Sequence, residues 1–185
     1  MRPWVTLWRN RAGGDNWALL PLRLMIGFGF AAHGYAKLAR GPATFAPIVA
    51  TLGLPAPAFT AWVTSLIELG GGILLMLGAF VVPLSLPLAA MTAVAMFGVH
   101  LRYGFLAIKL KTLSAAGAEF GPPGYEITLL YLAGIATLVL SGSTPLSIDR
   151  LLESRRSIDE VSRPAQAGAS GERAAKVPPE PERAA

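Results

Sequence analysis

The chain contains no cysteine. Disulfides, thiolate metal sites and thiol redox chemistry carried by the chain itself are therefore excluded. Charge is also scarce: 15% of the 185 residues are Asp, Glu, Lys or Arg, against about 25% in an ordinary soluble domain. Between Gly41 and Leu101 the only ionisable side chains are Glu68 and His100. The net charge of +5 is not accompanied by a basic stripe interleaved with aromatics, so nucleic acid is not an expected partner. The sequence holds neither a haem-attachment motif nor a dinucleotide fingerprint. Any oxidoreductase activity thus requires a partner subunit or a bound cofactor.

What the chain has is apolar sequence, 53% of its residues, with a mean hydropathy of +0.51. Phe59 to Tyr103 as one helix would run about 67 Å, more than twice the roughly 30 Å hydrocarbon core. It must fold back, and the prolines of VVPLSLP (Val81 to Pro87) supply turn chemistry. Spans are predicted at about 17–38, 59–80, 84–101 and 125–140. The predicted fold class is all-α, an integral membrane four-helix bundle over 17–152. It follows an N-terminal segment 1–16 and precedes a tail 153–185, whose mixed charge and few apolar residues predict disorder. Trp4, Trp8, Trp17, Trp62 and Tyr103 read as interfacial anchors. Arg23 within the first apolar core, with His33 and Lys37 beyond it, argues for a retained span over a cleaved signal peptide. The loop RGPATFAPIVATLGLPAPAF (Arg40 to Phe59) is too broken by proline to span, and predicts a short amphipathic helix around Phe45–Leu52 on the outer surface.

Four spans place both termini on one side. That side carries Arg2, Arg9, Arg11, Arg150, Arg155 and Arg156, and the other carries Lys37, Arg40, Arg102, Lys109 and Lys111. With the basic residues of the tail added, the positive-inside rule puts the termini in the cytoplasm of a bacterial cell, the protein being multi-pass in the inner membrane.

Ionisable groups inside a bilayer are expensive, and each is a functional hypothesis by default. On the first helix Arg23, Gly27, His33, Gly34 and Lys37 fall within an arc of about 120°. On the second, Ala61, Thr64, Ser65, Glu68, Gly71, Gly72 and Ala79 share a face, a stripe of small residues with one acid at its centre. Glu68 reads either as half of a structural ion pair or as a proton or ligand site. Arg23 is the preferred partner, because a guanidinium cannot be neutralised. Its alternative is snorkelling to the interface, and for Lys37 and Arg40 interface anchoring is favoured over chemistry. His33, His100, Tyr125 and Glu126 all lie towards the outer face. A hydrogen-bonded network capping an apolar pocket is preferred there to a bis-histidine haem or a metal site.

The pieces LRLMIGFGFAAHGYAKL, LGLPAP, IELGGGILLMLGAF, VHLRYGF, GYEITLLYL and SGSTPLSIDRLL, in this order over about Ala18 to Leu152, resemble the DoxX family of small four-span membrane proteins. The resemblance implies a membrane subunit linked to quinone or quinol oxidoreduction, or to a redox-stress complex, working with a soluble or membrane oxidoreductase partner. It makes Glu68 and His33 candidate catalytic residues. It likewise makes Lys37, His100 and Glu126 candidate ligand-binding residues, to which the reading of the spans themselves adds Arg23 and Tyr125. A bound quinone is the expected cofactor, with no covalent cofactor and no metal. The alternatives are a non-catalytic scaffold for a partner and, below it, a small-molecule permease; homo-oligomers fit each. One departure is the uncharged AFVVPLS, where relatives often place an Arg between spans two and three.

Overall fold

A computed structural model of the chain describes residues 17–142, 144–152 and 154. The N-terminal segment with Trp4 and Trp8 lies outside the described residues, as does the expected disordered tail apart from Ser154. The chain divides into two units, Met1–Asp149 and Arg150–Ala185. The helices and the candidate site belong to the first.

Helix α1 runs Leu19–Arg40 and ends where Gly41 takes a positive φ of 84°. A short 3-10 turn, Pro42–Thr44, leads into α2, Ala46–Thr51, which matches the expected loop helix and buries Val49. Helix α3, Pro57–Leu77, starts with proline at its first position, where no backbone N–H is needed. Helix α4 is Val81–Ala95, continued by a π-helical turn Met96–His100 and a 3-10 turn Leu101–Tyr103. Helix α5 is Glu126–Ser141.

Two expectations need correcting. The prolines of VVPLSLP do not make the turn between the second and third predicted spans. The chain turns at Gly78 and Phe80, both left-handed, with φ of 66° and 53°. Pro83 then sits in the first turn of α4 and Pro87 inside it. Proline lacks only an N–H that a first helical turn cannot use, so it is compatible with starting a helix. The fold is also not all-α: β1, Leu110–Ser114, pairs antiparallel with β2, Gly117–Phe120. Its residues alternate too weakly to stand out from a loop in the sequence.

The most extensive packing in the chain is α1 against α3. It is antiparallel and made backbone to backbone. A Cβ on Gly34 would stand 2.8 Å from Leu69 Cα and from the Ser65 carbonyl oxygen, and one on Gly72 would lie 3.0 Å from Ala31 Cα. Helix α4 packs on α3 and α5, and α5 returns to α1. The common core is Ile26, Phe30, Leu75, Val81, Leu88, Ile135 and Leu138. The Tyr131 ring meets Phe30 edge-on at 5.3 Å.

Among the described residues two helices, Pro57–Leu77 and Val81–Tyr103, are long and apolar enough to cross a membrane. Only 33% and 17% of their apolar windows are buried inside the chain, whereas a soluble core helix would be covered. Met25, Phe28, Leu66, Leu86, Phe97 and Leu130 are all exposed, and apolar surface on this scale needs lipid or a partner.

The seam makes a stability prediction. Gly34→Val should destabilise the detergent-solubilised protein by about 1–3 kcal/mol through overpacking, read as a lower thermal midpoint. Gly70→Ala, where a Cβ meets nothing within 4 Å, should leave the midpoint unchanged or slightly raised.

Candidate functional site

The antiparallel seam sets which ionisable groups can meet. Gly27 lies against Gly72 and Met76, and Gly34 against Ser65 and Leu69. Glu68 is therefore level with His33, and Lys37 stands one turn nearer the α1 C-terminus. Helical side chains lean towards their own N-terminus. Because α1 and α3 run in opposite directions, Lys37 leans down the seam and Glu68 leans up it. They meet: Lys37 Nζ donates to Glu68 Oε1 at 2.7 Å. The ammonium also sits 4.3 Å from the centroid of the Phe45 ring, a cation–π contact supplied by the residue just before α2.

Glu68 is 8% exposed, and its Oε2 has no hydrogen-bond partner among the described residues. Beside it Ser65 is buried and donates to the Ala61 carbonyl oxygen at 2.7 Å. The site is thus a carboxylate with one oxygen held and one free, a lysine with donors to spare, and an aromatic lid over the lysine.

The preferred partner for Glu68 was Arg23, and the structure overturns that pairing. Arg23 is level with Gly78, ten residues of helix from Glu68, or about 15 Å at 1.5 Å per residue. It also leans away from Glu68. Its Nη1 donates to Thr144 Oγ1 and, at 3.3 Å, to the Pro145 carbonyl oxygen; its Nη2 donates to the Leu146 carbonyl oxygen at 2.9 Å. It is buried at 1% exposure rather than snorkelling. The same segment supplies Asp149, whose carboxylate accepts from the N–H groups of Phe80 and Val81 at 2.8 and 3.0 Å. Asp149 N–H returns a bond to the Gly78 carbonyl oxygen at 3.0 Å, and its charge also acts on Arg23.

The outer-end candidates do not converge on Glu68. His100 Nδ1 donates to the Pro123 carbonyl oxygen at 3.0 Å, the direction fixed because a carbonyl can only accept. Glu126 Oε2 accepts from Ala107 N–H at 2.9 Å, and the Tyr125 ring meets Phe105 edge-on at 5.5 Å. These three fasten the loop between α4 and α5. His33 is exposed, without a partner among the described residues. It lies at the edge of the predicted arc, 100° from Gly34 and so off the seam. Phe45 and Asp149 were not singled out from sequence. Phe45 is signalled only by following the Gly-Pro turn after a lysine, and Asp149 only by its place in SIDRLL.

The DoxX family model matches residues 18–101, which hold α1, α2, α3 and α4 together with Lys37, Phe45 and Glu68. No curated protein matches the chain, and no solved structure does. The α5 pieces and SIDRLL lie beyond the matched residues.

A double-mutant cycle separates the two pairings. Lys37→Met and Glu68→Gln should be coupled by about 0.5–3 kcal/mol in thermal stability, whereas Arg23→Met and Glu68→Gln should add to within about 0.5 kcal/mol. Arg23→Met alone should cost roughly 1–3 kcal/mol, because it leaves a buried hydroxyl and carbonyl oxygens without their donor. Arg23→Lys should not restore it, lacking the planar fork.

Proposed function

We propose that this chain, which carries a DoxX domain over residues 18–101 and sits in a lipid bilayer, binds the head group of a quinone, a quinol or a similar apolar carbonyl compound at Lys37 and Glu68, as a membrane subunit of a partner oxidoreductase. The observation that carries the reading is the buried, unpartnered Oε2 of Glu68 beside an ammonium. Leaving such an acceptor unmet costs about 1–3 kcal/mol, and a ligand hydroxyl donating to it would remove that cost. Lys37 has three N–H donors. One is spent on Glu68, so another is available for a carbonyl oxygen.

A bound quinone would supply two-electron, two-proton redox chemistry. The chain's own groups would orient the head group and hold a proton at Glu68 Oε2, as general acid–base chemistry requires. With no cysteine in the chain, electrons pass to a partner. The proposed architecture has four spans, α1, α3, α4 with its extension, and α5, in a bacterial inner membrane with both termini cytoplasmic. Helix α1 is included because Arg23 and Lys37 are met within the chain, which lowers the cost of carrying them through lipid.

A scaffold role is the second reading. What favours it is that Arg23, His100 and Glu126 are each bonded to backbone, which narrows any chemistry to Lys37 and Glu68. Extraction of the detergent-purified protein, with mass spectrometry of bound quinones, tests the proposal. Near-stoichiometric quinone is expected in the natural chain. Glu68→Gln and Lys37→Met should lose it while keeping their helical circular dichroism. Absence of quinone from the natural chain, or its retention in both variants, overturns the reading in favour of the scaffold.

A further inference from the structure

The hairpin of β1 and β2 lies apart in sequence from Lys37 and Glu68. Its pairs are Leu110 with Phe120, Thr112 with Glu119, Leu113 with Ala118 and Ser114 with Gly117, with a register irregularity between Leu110 and Thr112. On β2, Phe120 and Ala118 are two residues apart and so share a face. Their partners Leu110 and Leu113 must share it too, although they are three positions apart. A regular strand would put Leu113 on the opposite face. The bulge at Lys111 absorbs the odd residue and brings both leucines to one side. The Gly121 N–H donates to the Lys109 carbonyl oxygen at 2.8 Å, extending the ladder, and strand alternation then adds Ile108 to the leucine face. The other face carries Lys109, Thr112, Ser114 and Glu119, with Lys111 at the bulge.

This is an amphipathic hairpin whose apolar face is not covered by any of the described residues. Every strand residue is exposed, Leu113 at 74% and Phe120 at 59%. An isolated two-stranded hairpin is marginal in water. Its root is nevertheless firmly held, since the N–H groups of Gly124, Tyr125 and Glu126 donate to the carbonyl oxygens of Leu106, Gly104 and Phe105 at 2.9–3.0 Å. That root lies between Tyr103, where an apolar membrane-capable helix ends, and the first turn of α5.

We infer that the hairpin lies on the bilayer surface, with Ile108, Leu110, Leu113 and Phe120 in the interfacial layer and Lys109 and Lys111 on the phosphates of anionic phospholipid. Charge complementarity selects this occupant: Arg102, Lys109 and Lys111 outnumber Glu119, and Glu126 is engaged by Ala107. The root keeps the hairpin at the level where the chain leaves the hydrocarbon, so docking needs no movement of the helices. Apolar burial and electrostatic attraction then act together, as for interfacial amphipathic helices. Each lysine contributes about fivefold to the preference for an anionic surface.

The cysteine-free chain allows single spin labels. Leu113→Cys, Ala118→Cys and Thr112→Cys are labelled in the full-length protein. It is reconstituted in nanodiscs of phosphatidylcholine alone or of phosphatidylcholine with phosphatidylglycerol. Labels at 113 and 118 should be accessible to oxygen and shielded from a water-soluble nickel complex in the anionic bilayer, and the label at 112 should show the reverse. Lys109→Gln with Lys111→Gln should reduce the ratio of docked to undocked spectral populations by about 25-fold. Equal water accessibility at all three positions overturns the inference. So does shielding accompanied by dipolar broadening between labels, which would mean that a second copy of the chain covers the face.

Discussion

Where α1 and α3 cross, their backbones touch directly at three glycines. Gly27, Gly34 and Gly72 let carbonyl oxygens and α-carbons of opposite helices approach to distances that any Cβ would block. In lipid, where no hydrophobic force draws helices together, such contact is a principal source of association. It also fixes the axial offset of the two helices, and with it the reach of every ionisable group along the seam. Lys37 and Glu68 meet because their side chains lean towards each other from antiparallel helices. Arg23 and Glu68 cannot meet, because the same offset sets them about ten residues apart.

At the far end of the seam the chemistry is of a different kind. A buried guanidinium collects a hydroxyl and two carbonyl oxygens from the segment that follows α5, and the carboxylate of that segment caps the exposed N–H groups at the start of α4. Left-handed Gly78 and Phe80 turn the chain there, and Asp149 supplies from a distance what a local N-cap residue would ordinarily supply. The two ends of the seam thus divide the ionisable groups: at one end both terminal nitrogens of the Arg23 guanidinium are bonded and only its Nε lacks a partner among the described residues, while the other leaves a carboxylate oxygen free.

Much of this was legible in the sequence. The small-residue stripe around Glu68, the loop helix and approximate helix limits follow from apolar run length, 3.6-residue periodicity and proline placement. So did the burial of Glu68. What could not be read was partner choice. Arg23, His33 and Lys37 share one broad arc, and separating them needs the axial offset and the lean of each side chain, which are properties of a helix pair. His33 sat at the arc's edge and fell outside the seam. The clasp through Asp149 joins residues far apart in the chain and leaves no local pattern. The hairpin was missed because its bulge breaks the period-2 signal that marks a strand.

The clasp has a consequence for biogenesis. Phe80 and Asp149 are 69 positions apart, and Arg23 and Thr144 are 121 apart. A chain emerging from the ribosome completes α1, α3 and the start of α4 long before their closing partners exist. Arg23 is made without its acceptors, and α4 must begin with its first N–H groups uncapped. Closure of this end of the helix pair therefore waits for the segment that follows α5.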